Sequence, residues 1–539
     1  MFNRLKDSLK SGVARFLGGG SHMEYEASAK EFVSSLRANN GFVLWPAEQP
    51  ESWEVASDLR WSCGVQWTGA GQIHLTGLNL CQMELAGMVD ISGLTSLERI
   101  YFSRNRFDVL KAEDNPRLME LHAGGNRLIR LEVGGAPALV ELDVASNRLV
   151  SLDLSPNTEL TTLCVNDNRL IELNISQNAK LKRLVADTNQ LSDLDLSGCQ
   201  ELTYLAVYEN RLEELDVRHN AKLETISAAD NSLERIDLSR NPDLAYLNLY
   251  NTRLDELDVR ANPKLWYLVV SGNHLRELDL SSQKALTHLV VSGNSLSSLE
   301  VGGNIELRTL DFNDNQVTEM RVSQNVNLWY IYAAINQLRG FDVRSNTRLL
   351  ILDVTQNQLK DIDVSQNQKL QRLYVSSNQL RSLDVSRNAL LERLYANDNP
   401  LDEIEFGSNR LSSLRELDLS ECRLPLSRLA RCVGLASDLN MLGPQTRVMF
   451  DSLAFKPGQP AELDLSSEAL INGQPTAFTV LDCQKQPVVP DCVTINNGLI
   501  TFRKKGRYQV MMTNPAVLSS GPGHQEEARV YTGFIDVEL

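Results

Sequence analysis

The residues of this chain best suited to chemistry are aromatic, and they recur in register. Tyr246 and Tyr267 are twenty-one residues apart, as are Tyr374 and Tyr395, while Tyr204 and Tyr208 precede Tyr246 and Tyr250 by forty-two. Trp266 and Trp329 stand directly before Tyr267 and Tyr330, with Tyr332 two residues further on. The chemistry such side chains offer is non-covalent. A tyrosine or tryptophan buries a large area at low entropic cost and keeps a polar handle. Set in a row, these rings could grip a protein partner or stack on sugar rings. They could also merely stabilise a sheet through cross-strand contacts. Catalytic groups are scarcer. His74, His122, His219, His274, His288 and His524 are scattered, and no P-loop, dinucleotide fingerprint, nucleophile elbow or metal-ligand spacing occurs. The expectation is therefore a binding protein with no catalytic residue, no metal and no cofactor.

The element that positions the rings is a repeat. Fifteen copies of a 21-residue motif, close to L-x-x-L-x-V-x-x-N-x-L-x-x-L-D-V-S-x-N-x-x, run through residues 97–411. A strict period of this kind specifies a solenoid, because one copy cannot bury its own apolar face and must stack on the next. The segment L-x-x-L-x-V alternates like a short strand, so positions four and six point inward and positions three, five and seven outward. Ten of the thirteen tyrosines take outward positions: Tyr101, Tyr204, Tyr208, Tyr246, Tyr250, Tyr267, Tyr330, Tyr332, Tyr374 and Tyr395. Tyr246 and Tyr267 are thus expected to be neighbours across one parallel sheet, and His122 to meet Tyr101 and Asp143. The enrichment is patchy, since the outward positions of 271–313 hold no aromatic side chain but His288. Uniform sheet stabilisation would not skip coils, which favours binding.

Two polar rows complete the coil. An asparagine at position nine (Asn105, Asn126, Asn147, Asn168 and onward, with Thr252 the exception) sits where the strand must turn, and its amide can satisfy the backbone of adjacent coils. The second half of the motif repeats the pattern with its own turn asparagine, so the coil is thin, with extended or turn segments in place of a helix. Asp153, Asp195, Asp216, Asp237, Asp258, Asp279, Asp342, Asp363 and Asp384 recur there. A row of carboxylates could hold calcium. The charges beside them vary too much for a repeated oxygen cage, and acceptance from turn amides is the simpler role.

Composition narrows the partner. The 539 residues carry a net charge of −16, against the basic stripe that nucleic-acid binding needs. No run of eighteen apolar residues could span a membrane as a helix. Six of the eight cysteines lie in three close pairs, Cys63 with Cys81, Cys422 with Cys432 and Cys483 with Cys492, which makes each pair a candidate disulfide and points to an oxidising compartment, while Cys164 and Cys199 stand alone.

Along the chain, residues 1–23 read as an amphipathic leader followed by a Gly-Gly-Gly-Ser-His-Met scar. The leader's apolar face could dock a partner groove or a membrane surface. Residues 24–96 form an N-terminal cap opening with a helix near 27–39, and 97–424 the solenoid proper. Residues 425–445 are a closing cap and linker with a short helix at 425–435, and 446–539 are short alternating strands suited to a β-sandwich.

This 21-residue period with paired halves resembles the leucine-rich repeats of the internalin J family of bacterial surface proteins. The tail, at 463–465, 498–502, 508–514 and 534–539, resembles the immunoglobulin-like module that follows such repeats. The family often places cysteine at position six, where this chain has Val144, Val165, Val207, Leu249, Val270, Val291, Phe312 and Val354. The resemblance implies a mainly β leucine-rich-repeat solenoid, with a parallel sheet on its concave face and a C-terminal β-sandwich. It also implies a secreted or surface-displayed adhesin that recognises a protein of a host or neighbouring cell. A carbohydrate-binding surface protein, and an intracellular effector or scaffold, are the alternatives.

Overall fold

The computed structural model describes residues 64–68, 74–82, 84–407, 413–432, 435, 453–455, 461–521, 524–527, 529–532 and 534–538. The amphipathic leader, the cap helix expected near 27–39 and Cys63 lie outside the described residues. The chain divides into two compact units, Met1–Asn273 and His274–Leu539.

In the N-terminal unit an antiparallel hairpin, Gly64–Thr68 with His74–Asn79, starts the sheet, and its second strand pairs in parallel with Arg99–Tyr101. From there each three-residue strand pairs in parallel with its counterpart one coil on, from Glu120–His122 to Tyr267–Val269. The reason is visible in burial. The central residue of each strand (Ile100, Leu121, Leu142, Leu163 and so on) is fully buried, while its two neighbours are mostly half-buried, Arg183 being exposed and Ala206 buried. A second parallel sheet of Ala86–Asp90, Arg106–Lys111 and Arg130–Glu132 lines the other side of the first coils.

The C-terminal unit continues the pattern from His288–Val290 to Arg393–Tyr395, whose partner Glu416–Asp418 lies 23 residues on. The two extra residues disturb the period without breaking the pairing. The last coil is followed by the helix Leu426–Cys432, shorter than the 425–435 expected. Its Ser427 gives N–H and O–H bonds, at 2.8 and 2.6 Å, to the two carboxylate oxygens of Glu468, a buried residue of the terminal β region. Among the described residues that region has two larger sheets and two short hairpins, Leu470–Ile471 with Gln474–Pro475 and Leu518–Gly521 with His524–Glu527. One larger sheet pairs Leu453–Phe455, Ile535–Val537, Gly506–Thr513 and Ala477–Asp482, with Val530–Tyr531 alongside; the other pairs Glu462–Asp464, Leu499–Phe502 and Val493–Asn496. Phe502 of the second sheet packs on Phe455 and Tyr508 of the first, at 6.3 and 5.2 Å between ring centroids.

The position-nine asparagines do what their spacing predicts. Asn147 donates to Ala123 O of the preceding coil and to Val144 O of its own, both at 3.0 Å, and accepts from Leu128 N at 2.9 Å. Thr252 substitutes by placing its hydroxyl 2.6 Å from Asn273 Oδ1. The residue before each asparagine lies in the left-handed region, with φ between 51° and 60° at Arg104, Ser146, Asp167, Asp230 and Ile335. The second-turn asparagines are only half satisfied. Asn220 donates to Leu196 O and Cys199 O at 3.0 and 2.8 Å, yet its buried Oδ1 has no partner, as at Asn157, Asn178 and Asn241. Cys199 occupies one rung of this ladder, its sulfur 3.6 Å from Ile175 O and 3.7 Å from Asn178 O.

The aspartate row is structural. Each Oδ1 accepts the backbone N–H two residues on, as Asp153 does from Ser155 at 3.0 Å and Asp237 from Ser239 at 2.9 Å. Asp216, Asp258 and Asp342 also hold Arg218, Arg260 and Arg344 through two bonds each.

The cysteine pairing needs correction. Cys432, Cys483 and Cys492 are free thiols, so neither Cys422–Cys432 nor Cys483–Cys492 is bridged. Each sulfur of the first pair has its own direction: Cys422 Sγ lies 3.4 Å from Ala396 O in the last coils, and Cys432 Sγ 3.8 Å from Arg428 O within its helix. Closeness in sequence did not bring them face to face.

Candidate functional site

The strands place the aromatic side chains on the outward sheet face of each unit. In the N-terminal unit Tyr246 and Tyr267 are register partners, and their rings stack 4.5 Å apart at 6°. Trp266, one residue ahead of the strand, sets its ring edge-on to both, at 5.5 Å from Tyr267 and 6.4 Å from Tyr246. Tyr250 lies past the strand and is exposed. Two coils earlier Tyr204 lies beneath Arg183, whose guanidinium carbon is 3.7 Å from the ring centroid. That contact is a cation–π pair. Tyr208 bonds the Asp187 carboxylate, which with burial pushes its phenol up to about 12. Thr225 separates Tyr204 from Tyr246 in the strand row, as the spacing implied.

The C-terminal unit carries two smaller groups. Exposed Trp329 lies under Arg308 at 5.3 Å and precedes Tyr330 and Tyr332. Tyr332 stands between Asp311 and Asp353 in register, and burial with the nearby Asp311 raises its phenol pKa. One coil separates this group from Tyr374 and Tyr395, register partners whose tilted rings are 5.1 Å apart. Tyr395 donates to Glu416, and this bond first, then burial, lifts its phenol to about 12. Arg393 completes the group with a 3.1 Å bridge to Glu416.

Sequence reasoning missed the cations. Arg183 and Arg308 each lie one coil before the ring they cover, a 21-residue offset that could have exposed them. The expected contacts of His122 are present. Its ring stacks on Tyr101 at 5.0 Å and reaches Asp143 and Glu141 at 3.8 and 3.7 Å. Burial lowers its pKa, but Asp143, Glu141 and Glu120 together raise it above the ordinary value. Among the described residues no group of His, Cys, Asp and Glu is arranged to hold a metal, and no helix is long and apolar enough to cross a membrane.

With parallel strands one coil apart, an asparagine ladder at each turn and little helix, the backbone decides the class. The fold is a leucine-rich-repeat solenoid. It is similar to the functional domain of InlJ from Listeria monocytogenes, at 24% identity and a TM-score of 0.57, over 80% of this chain and 90% of that one. A Leptospira interrogans leucine-rich-repeat protein matches at 22% identity and a TM-score of 0.53, over 65% and 91%. The plant peptide hormone receptor RGFR1, solved in complex with RGF2, matches at 19% and 0.57, over 74% and 73%. No protein-family model matches the chain, and no curated protein does. The InlJ domain includes a cysteine ladder, whereas the inward slots here hold buried residues such as Val144, Val165, Leu249 and Phe312.

Proposed function

We propose that this leucine-rich-repeat chain is a non-catalytic binding protein that holds a protein ligand against the aromatic stretches of its sheet. Tyr204, Tyr208, Tyr246, Tyr250, Trp266 and Tyr267 make the main contact, with Trp329, Tyr330, Tyr332, Tyr374 and Tyr395 as a second. The observation that carries this reading is the preorganised trio of Tyr246, Tyr267 and Trp266 beside exposed Tyr250. Rings already locked against one another lose little freedom when a partner covers them. The plant receptor RGFR1, of the same fold, is solved with a hormone. Likeness to the InlJ domain supports a bacterial adhesin, secreted or displayed on the cell surface.

The carbohydrate alternative would use the same rings. Sugar stacking needs open ring faces, and Arg183 covers one face of Tyr204 while Tyr246 and Tyr267 cover each other. That favours a protein. The intracellular scaffold reading is favoured by one observation, the unbridged Cys432, Cys483 and Cys492.

The test is capture from host-cell surface extract by the full chain and by a variant carrying Tyr204, Tyr246, Tyr250 and Tyr267 as alanines. A partner retained by the parent alone, with both proteins equally folded, supports the aromatic face. Equal retention makes these tyrosines sheet stabilisers, and retention of glycans alone selects the carbohydrate reading.

A further inference from the structure

The outer flank of the N-terminal unit carries a patch that the aromatic face does not use. Three consecutive coils pass through segments 127–129, 148–150 and 169–171 outside the strands, tied in sequence by backbone bonds. Arg148 N donates to Leu128 O at 2.9 Å, Arg169 N to Leu149 O at 2.8 Å, and Ile171 N to Val150 O at 3.4 Å. The central Leu128, Leu149 and Leu170 are fully buried, while the residues on either side of each are exposed. One resulting row is Arg127, Arg148 and Arg169, preceded by Arg106. The other is Ile129, Val150 and Ile171, which are 61%, 48% and 54% exposed.

Elsewhere in this unit the aliphatic position holds Asp108, Ser192, Glu213, Glu234 and Asp255. Branched aliphatics are thus confined to three adjacent coils, where folding gains little from them. Among the described residues Arg127, Arg148 and Arg169 also have no ion pair, although Arg106 reaches Glu84 at 3.7 Å. In a chain with a net charge of −16, three open guanidiniums beside an apolar strip are notable.

We propose that this strip docks an acidic amphipathic α-helix of a partner protein. Charge complementarity and spacing both carry the inference. Coils recur at about 4.8 Å. Contacts along one helix face, three or four residues apart, recur at about 4.5–6 Å of rise. A helix laid across the coils therefore sets successive apolar side chains on Ile129, Val150 and Ile171. Carboxylates on its flank then meet the arginine row, where a guanidinium donates two bonds at once. An anionic bilayer is the poorer occupant. Asp108 precedes the aliphatic row, Ser192 and Glu213 follow it, and an excess of negative charge repels such a surface.

The experiment titrates the full chain into a fluorescein-labelled synthetic helix with a leucine stripe and glutamates along one flank, read by anisotropy. A matched helix with lysines in place of the glutamates is the control. The glutamate helix binds and the lysine helix does not. Affinity falls by about tenfold or more in a variant combining Ile129→Ser, Val150→Ser and Ile171→Ser, and in one combining Arg127→Gln, Arg148→Gln and Arg169→Gln. Unchanged unfolding midpoints show that these exposed substitutions leave the fold intact. No binding of the glutamate helix, equal binding of both helices, or undiminished binding by either folded variant overturns the proposal. Capture of phosphatidylserine–phosphatidylcholine vesicles by the parent, abolished by the same substitutions, also overturns it and assigns the strip to a membrane.

Discussion

At the scale of single residues, backbone and side chain are in conflict at the β-branched Thr188 and Ile335, both of which have positive φ. Ile335 holds φ at 56° while its branched side chain is half exposed. Left-handed backbone costs an L-residue roughly 1–2 kcal/mol, most for β-branched types and least for asparagine or glycine. Asn251 fills the corresponding position with φ 51°. Ile335→Asn is therefore expected to stabilise the protein by about 1 kcal/mol, read as a higher denaturant midpoint at constant slope. An unchanged midpoint would mean that the isoleucine side chain compensates through packing. The phenols provide a second residue-scale measurement. Tyr101, Tyr208 and Tyr395 are each lifted to about 12, Tyr101 mainly by burial and the other two mainly by bonds to Asp187 and Glu416. Because the folded pKa exceeds the unfolded one, the neutral form is favoured in the fold. The stability this contributes is complete below about pH 10 and lost as pH rises toward 12. Tyr395→Phe should leave the phenolate absorbance at pH 11 nearly unchanged, since this ring has not ionised there. A drop matching one full phenolate would show that the bond to Glu416 does not persist in solution.

At the scale of the coil, the two asparagine rows and the aspartate row have different worth. Asn220 holds two carbonyls of the preceding coil, Leu196 O and Cys199 O. Asn220→Ala removes both bonds while Leu196 O and Cys199 O keep the backbone donors Cys199 N and Leu202 N, and is expected to cost about 1–2 kcal/mol, measured by chemical unfolding. Asp258→Ala removes an exposed turn contact and its Arg260 partner, and such surface pairs contribute at most about 1 kcal/mol. Asp258 and Asp342 are held at about 2, first by their arginines and then by the turn N–H. A depressed carboxyl pKa gives stability that is present above the ordinary value near 4 and lost as pH falls toward 2. Acid unfolding should begin in that window, and Arg260→Ala should raise the Asp258 midpoint followed by carboxyl NMR. The period legible in the sequence placed both asparagine rows correctly. It could not show that the second row spends both amide hydrogens on carbonyls and leaves Oδ1 unpaired, because that depends on which backbone groups the turn points inward.

At the scale of the whole molecule, Ser427 with Glu468 is a polar contact, among the described residues, between the coils of the C-terminal unit and the terminal β region. Glu468 is buried, so in Ser427→Ala one carboxylate oxygen loses its hydroxyl donor while the other keeps the backbone N–H of residue 427. A double-mutant cycle of Ser427→Ala and Glu468→Gln should return a coupling of about 1–3 kcal/mol. A value near zero would mean that the Ser427 hydroxyl adds nothing to the junction.

A period of twenty-one residues with leucines at fixed positions suffices to specify a stacked coil, because no other arrangement buries every one of those leucines. For the same reason it specifies which tyrosines share a face, since alternation and register follow from the period. The partners of those side chains are not periodic. Arg183 over Tyr204, Glu416 on Tyr395 and the separate directions of Cys422 and Cys432 each depend on rotamers and on the shape of one neighbouring coil. The strip of Ile129, Val150 and Ile171 was written in the sequence from the start. Only the burial of Leu128, Leu149 and Leu170 between its two rows showed that it faces outward.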